Sequence, residues 1–99
     1  MYKLLLFLKK TDNKEIINLF NDYTLKYLSE INGSEVKAAD VESNLLMETK
    51  YMKFCEVESS SKDEWDKKMN SLAGKELNKH LMDFHRFVAL IFVNYPEQT

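Results

Sequence analysis

Each end of the chain carries a short run in which every residue is apolar. The first run is residues 4–8, followed by two lysines, and the second is residues 87–93. A membrane-spanning helix needs about 20 apolar residues, so neither run can cross a bilayer. Side chains alternate between the two faces of a strand. The runs therefore predict strands over 2–10 and 86–95 that are apolar on both faces and need cover on both sides.

A long amphipathic helix is predicted after the first strand. Asp12 and Glu15 have the spacing of a capping box, with Asp in the position that Ser or Thr usually holds. Gly33 supplies the left-handed conformation that ends many helices. Between them, apolar residues recur every three or four positions, at Ile16, Leu19, Phe20, Tyr23, Tyr27 and Ile31.

The rest of the chain predicts two further strands and a broken helix. Residues 35–43 alternate only loosely, which suits an edge strand, and residues 50–58 form a third strand. Ser61 and Glu64 make a second capping box, and the helix behind it is interrupted by Gly74 and restarts over residues 76–84. Within the turn between the two strands we expect an apolar lid, formed by Leu45, Leu46 and Met47.

The resulting order, β-α-β-β-α-β, is that of the ferredoxin-like fold, in the α+β class. Right-handed crossovers place both helices on one face of a four-stranded antiparallel sheet. In the usual strand order, 4-1-3-2, strand 1 lies in the middle and strand 4 at an edge. The length of 99 residues suits one domain, so we expect residues 1–99 to fold as a single unit.

This fold leaves one face of the sheet without helices, although both terminal strands are apolar on both faces. Large side chains on that face would lie in water in a monomer, and burying each is worth about 1.5–3 kcal/mol. An exposed patch of that kind marks an interface. The simplest cover is the same face of a second copy, which predicts a homodimer, a dimeric α/β barrel. The predicted interface residues are Leu5, Phe7, Val88, Leu90 and Phe92.

Composition excludes several classes of function. The formal net charge is −2, so nothing points to nucleic acid or to an anionic membrane surface. Cys55 is the one cysteine, which excludes a disulfide within the chain and a thiolate metal site. His80 and His85 are the only histidines, and the chain has no glycine-rich phosphate loop or metalloprotease motif. We expect a cytoplasmic protein without a structural metal.

Three short segments, together with the order of elements, resemble the EthD-like family of the dimeric α/β barrel superfamily. They are the opening strand MYKLLLFLKK, the second-helix segment SLAGKELNKHLMDF, and Glu56 in CEVESS, where the family often has a strand glutamate. The resemblance covers nearly the whole chain and implies a homodimeric barrel. Relatives include small monooxygenases that work without metal or flavin, haem-handling enzymes and proteins of no known activity. Haem is therefore the one cofactor that the resemblance leaves open.

The chain departs from the family's pattern at three places. Thr24 stands where the first helix often carries a histidine, and His80 stands where the second helix usually has an aspartate. Met52 and Lys53 replace an Asp-Gly pair of the third strand. A catalytic assignment that depends on those family residues does not transfer to this chain.

Three residues are candidates for proton transfer. His80 can meet Asp83, three residues later on the same helical face, and His85 follows that helix. Glu56 lies on an otherwise apolar strand, where a carboxylate can act as a general acid or base. Each also has a structural alternative, which is an ordinary polar position on a helix surface for the histidines and a lysine-paired position at the sheet rim for Glu56.

Four further residues are candidates for the lining of a small-molecule pocket. Aromatic and methionine side chains form adaptable apolar walls, and a tyrosine hydroxyl can orient a ligand. The alternative is plain core packing, which is the commoner role of aromatic residues at helical spacing. The four residues are Tyr23, Tyr27, Tyr51 and Met52.

These observations predict a homodimer that binds or transforms a small apolar or aromatic molecule without a metal or flavin. An enzyme of this kind needs a polar group that points into the cavity, whereas a non-catalytic carrier or regulatory dimer does not. Both classes stay open at the level of the sequence. Nucleic-acid binding is disfavoured because the sheet lacks a basic surface interleaved with aromatic residues.

Overall fold

A computed structural model describes residues 1–42 and 48–96, so the predicted lid at 45–47 lies outside the described residues. The fold is α+β, with a four-stranded antiparallel sheet in the order β2-β3-β1-β4. Strand β1 lies in the middle and β4 at an edge, which confirms the predicted strand order. The elements are β1 (Tyr2–Lys9), α1 (Lys14–Leu19), a π-helical turn (Phe20–Thr24), α2 (Leu25–Asn32), β2 (Ala39–Asp40), β3 (Tyr51–Ser59), α3 (Lys62–Asn70), α4 (Leu72–Phe84), a 3₁₀ turn (His85–Phe87) and β4 (Val88–Asn94).

The hydrophobic core lies between the helices and the inner face of the sheet. Alternate residues of β1 and β3 supply the sheet side of this core, and all of them are almost fully buried. The helices cover them with large side chains, which is why the amphipathic period of each helix matches the alternation of the strands. The main contributors are Leu4, Leu6, Leu8, Cys55 and Val57 from the sheet, and Phe20, Leu28, Trp65, Leu77 and Phe84 from the helices.

The register between β1 and β4 assigns the side chains of β4 to faces. Directly opposed residues point to the same face of a sheet. Because Leu4, Leu6 and Leu8 lie on the inner face, their partners Phe92, Leu90 and Val88 lie there too. The prediction that Val88, Leu90 and Phe92 share an outer face with Leu5 and Phe7 is therefore wrong.

The outer face of the sheet is largely apolar, and no helix of residues 1–42 and 48–96 covers it. Leu5 and Phe7 point to this side and lie opposite Ile91 and Ala89 of β4. The ring of Phe7 contacts the ring of Phe54, with 5.0 Å between centroids. In the single chain Ile91 is 46% exposed. Leu5 and Phe7 thus lie on the predicted face of the sheet, and their role in an interface stays a prediction.

The first helical stretch is continuous but not uniform. It begins one residue later than predicted, because Asn13 and not Asp12 is the cap, its Oδ1 accepting the Glu15 N–H at 3.0 Å. In its middle the Leu25 N–H donates to the Phe20 carbonyl, the i→i−5 bond of a π-helix. The stretch ends at residue 33, a glycine with φ of 77°, as the sequence predicts.

The break between α3 and α4 lies at Ser71 and not at Gly74. Ser71 ends α3 and caps α4, because its Oγ accepts the Gly74 N–H at 3.1 Å. Gly74 lies in the first turn of α4, where a β-carbon would collide with the backbone of Lys68 and Met69. The glycine is needed for the close approach of the two helices and does not itself interrupt one.

The middle of the chain forms less strand than its sequence predicts. Strand β2 spans only Ala39–Asp40, instead of residues 35–43. Its loose alternation gives it few side chains to bury, so only a short edge segment pairs with β3. Strand β3 and the start of α3 agree with the prediction, since the Ser61 Oγ accepts the Glu64 N–H at 3.2 Å.

Candidate functional site

An apolar cleft of about 470 Å³ lies between the inner face of the sheet at its β4 edge and the pair α3–α4. Here the helices cover β1 but not all of β4, so Leu4 is buried while Leu90 and Phe92 are 37% and 46% exposed. The indole of Trp65 meets the ring of Phe92 edge-on, with centroids 5.4 Å apart. The apolar lining consists of Leu4, Trp65, Met69, Leu77, Leu81, Met82, Leu90 and Phe92.

Two polar side chains also line the cleft, Asn78 of α4 and His85 of the 3₁₀ turn. They are seven residues apart, which is about two helical turns and brings them to the same side of the helix. The Nδ1 atom of His85 lies 2.9 Å from the carbonyl oxygen of Met82. A carbonyl only accepts, so Nδ1 carries the hydrogen and the neutral ring has its lone pair on Nε2.

His80 lies outside this cleft, in the seam between α4 and the first helical stretch. Its Nε2 is 2.6 Å from the Oγ1 of Thr24, which is fully buried. Its ring stacks on Phe84 with 5.0 Å between centroids. Burial lowers the pKa of His80, and the nearby Asp83 carboxylate opposes this in part. These contacts give His80 a packing role, which differs both from the predicted proton-transfer role and from the predicted alternative of an ordinary polar position on a helix surface.

The four predicted pocket residues do not line the apolar cleft. Tyr27 lies 5.6 Å from His80, ring to ring, and borders a smaller groove with it. Tyr23 is 46% exposed and packs on Tyr27. Tyr51 contacts Phe7 on the outer face of the sheet, 4.9 Å between centroids. Met52 is half-buried and packs against the core.

Glu56 projects from the outer face of β3 and not into a cavity. It lies directly opposite Leu5 of β1. Its Oε1 is 3.7 Å from the Nζ of Lys3, and Glu58 approaches the same ammonium at 3.0 Å. The hydrogen bond that the Lys3 ammonium donates to Glu58 raises the pKa of Lys3, and the charges of both glutamates add to it. Glu56 thus has the lysine partner that its structural alternative predicts.

Asn78 and Trp65 belong to the cleft, and sequence reasoning did not single them out as site residues. The sequence around these two residues contains no recognisable site motif, because the cleft depends on how α3 and α4 cross the edge of the sheet. The seven-residue spacing of Asn78 and His85 could have placed both side chains on one helical face, because residues one heptad apart on an amphipathic helix share a face. The extension of that face into the 3₁₀ turn was not predictable from the pattern.

Cys55 offers no reactive group to the site. It is 2% exposed, and burial raises the pKa of its thiol to about 12, so the thiolate is scarce at neutral pH. Within residues 1–42 and 48–96, no three His, Cys, Asp or Glu side chains are grouped as a metal site would need. No helix of this part of the chain is long and apolar enough to cross a membrane.

Comparison with known proteins identifies a fold. No protein-family model matches the chain, and no curated protein matches it. A crystal structure of an ethyl tert-butyl ether D (EthD) family protein from Bacillus halodurans C-125 is similar, with a TM-score of 0.78 and 18% sequence identity. The match covers 97% of this chain and 99% of that one. The chain therefore has an EthD-like fold, as the resemblance in its sequence predicts.

Proposed function

We propose that this protein binds a small, neutral, largely apolar molecule in the cleft between β4 and the pair α3–α4. The observation that carries the proposal is the combination of an aromatic and aliphatic lining with just two polar side chains among the lining residues of the described chain. Ligand pockets have this character, with a few polar groups that orient a mostly apolar ligand. Binding of an apolar ligand removes this apolar surface from contact with water, which is favourable.

The exposed walls give the proposal an energetic basis. Met82, Leu90 and Phe92 are 68%, 37% and 46% exposed, although all three border the same cleft. Each square ångström of apolar surface removed from water stabilises by about 25 cal/mol. A ligand of one or two rings would cover these side chains at once.

The same cleft has one group suited to proton transfer. With Nδ1–H bonded to Met82, the lone pair of neutral His85 is held on Nε2, where a general base accepts a proton. This favours an enzyme that transfers a proton over a non-catalytic carrier, since a carrier needs no such group. We propose that the chemistry proceeds without a bound metal, because one cysteine and two histidines provide few nitrogen and sulfur ligands. We propose that it also proceeds without a flavin, as in the small monooxygenases that the sequence resembles. A Soret band from purified or haem-titrated protein would contradict the cofactor-free proposal.

The binding proposal is tested with p-xylene, a neutral aromatic probe without polar groups. Trp65 is the only tryptophan and lines the cleft, so its indole N–H gives a single NMR reporter. Titration of ¹⁵N-labelled protein should move this cross-peak saturably. The variant Leu90→Lys, which puts a charge into the apolar wall, should abolish the shift. The matched variant Leu72→Lys, at a position 78% exposed outside the cleft lining, should bind like wild type. Unchanged binding by Leu90→Lys would refute the site.

We also propose that two copies pack through the outer faces of their sheets. The support is an apolar patch on the side of the sheet opposite α1–α4, formed by Leu5, Phe7, Phe54, Ala89, Ile91 and Val93. Sheets that pack face to face lie about 10 Å apart, so these side chains would interdigitate. The ion pairs of Lys3 with Glu56 and Glu58 border the face, where charges are compatible with a partly wet rim.

The dimer is tested by multi-angle scattering at micromolar concentration, which should give twice the chain mass. Phe7→Asp puts a charge at the centre of the face, and central interface residues contribute about 2 kcal/mol or more. This variant should be monomeric or reach the dimer only at much higher concentration. Leu72→Asp, on the helical side, should remain dimeric. A wild-type monomer would refute the interface without affecting the cleft.

A further inference from the structure

We infer that the cleft selects molecules with an aromatic hydroxyl, and that His85 is the residue that recognises it by accepting the hydroxyl hydrogen at Nε2. This inference rests on the proposed binding function and specifies its ligand class. The two polar lining groups differ in their hydrogen-bond roles. Asn78 offers both a donor and an acceptor in its amide, so it discriminates little between ligands.

His85, in contrast, has a fixed role. Its Nδ1–H is engaged at 2.9 Å by the carbonyl of Met82, which lies three residues earlier in α4. The neutral imidazole can therefore only accept at Nε2, and it does so without rearranging any protein group. A ligand donor gains a hydrogen bond there, whereas a ligand that offers only an acceptor gains none.

The charge of the cleft decides between a neutral donor and an anion. None of the residues that line the cleft in the described chain is a lysine or arginine. A carboxylate or phosphate would lose part of its hydration against the apolar lining without meeting an opposite charge, which is unfavourable. A neutral hydroxyl is a good donor that avoids this cost.

The shape of the wall favours an aromatic ring as the carrier of that hydroxyl. Trp65 and Phe92 meet edge-on at 5.4 Å and an interplanar angle of 70°, and both line the cleft with His85. A third ring can continue this aromatic cluster by offset or edge-to-face contact. Phe92 is 46% exposed, so it has surface left for such a contact.

The experiment compares p-cresol, p-xylene and 4-methylanisole in wild type and in His85→Phe. The three probes share one ring and differ in carrying a donor, no polar group or an acceptor alone. Dissociation constants come from the indole N–H cross-peak of Trp65. We expect His85→Phe to weaken p-cresol about fivefold, the typical worth of one hydrogen bond, and to leave the other two probes within about twofold.

The possible outcomes separate this inference from the proposed function. If p-xylene does not bind wild type, both fail; if it binds and His85→Phe affects all three probes equally, only the inference fails. If 4-methylanisole loses as much as p-cresol, His85 is a donor and the inference is refuted. Imidazole ¹⁵N shifts of wild type give a test without a variant. They should show a protonated Nδ1, and an Nε2 signal that responds to p-cresol but not to p-xylene. A neutral ring with its hydrogen on Nε2 would also refute it.

Discussion

The hydrogen bond between His80 and Thr24 should stabilise the seam between α4 and the π-helical turn. It joins Nε2 and Oγ1 over 2.6 Å, and Thr24 is fully buried. His80→Phe keeps an aromatic ring against Phe84 but leaves the Thr24 hydroxyl without its partner. An unsatisfied buried hydroxyl costs about 1–3 kcal/mol. We expect the free energy of unfolding to fall by about 2 kcal/mol on that basis, and the melting temperature by roughly 8–16 °C.

A double-mutant cycle isolates this bond from the other consequences of each substitution. Replacing both partners by apolar groups of similar shape is nearly neutral, so Thr24→Val should restore much of the stability lost in His80→Phe. We expect a coupling energy of about 1–2 kcal/mol, measured by urea unfolding followed by circular dichroism. Lys79→Ala, next to His80 on an exposed position, is the control and should stay within about 0.5 kcal/mol of wild type.

Additive effects in the cycle would refute the reasoning. A coupling energy near zero would show that the two side chains do not exchange a hydrogen bond of consequence. His80 would then be free to act elsewhere, and its assignment to packing would have to be withdrawn. The comparison is independent of the cleft, because neither residue lines it.

Three further predictions concern pH, helix packing and the thiol. The pKa of His80 is lowered in the folded chain. Its contribution to stability is therefore complete above the ordinary histidine pKa of about 6.5 and declines as the pH falls toward the lowered value. The difference in the free energy of unfolding between wild type and His80→Phe, measured by urea unfolding, should shrink from pH 7.5 to pH 5. Gly74→Ala should lower the stability of the folded chain by about 1–2 kcal/mol in thermal unfolding, because overpacking against the backbone of Met69 outweighs the gain of about 1 kcal/mol in helix propensity. A variant more stable than wild type would contradict the close approach of α3 and α4. Cys55, with its pKa raised to about 12, should not react with a disulfide reagent at pH 8 until the chain unfolds, and rapid labelling of native protein would contradict its burial.

Local patterns in the sequence determined most of the element order. The leucine run of β1, the cap at Ser61 and the left-handed Gly33 act through neighbouring residues, so their signals survive without tertiary context. Strand order followed because right-handed crossovers leave few ways to connect these elements. The sequence also marked His85 as a candidate site residue, because the chain has only two histidines and they lie five residues apart.

Features that depend on contacts between elements were decided only by the tertiary structure. A strand that is apolar on both faces gives no sign of which side meets the helices, so the face of Leu90 came from its pairing with Leu6. The extra residue of the π-helical turn matches no period in the sequence, and it is the fold that brings Thr24 to His80. The cleft exists because α3 and α4 leave part of the β4 edge uncovered, and that depends on packing between elements far apart in the chain.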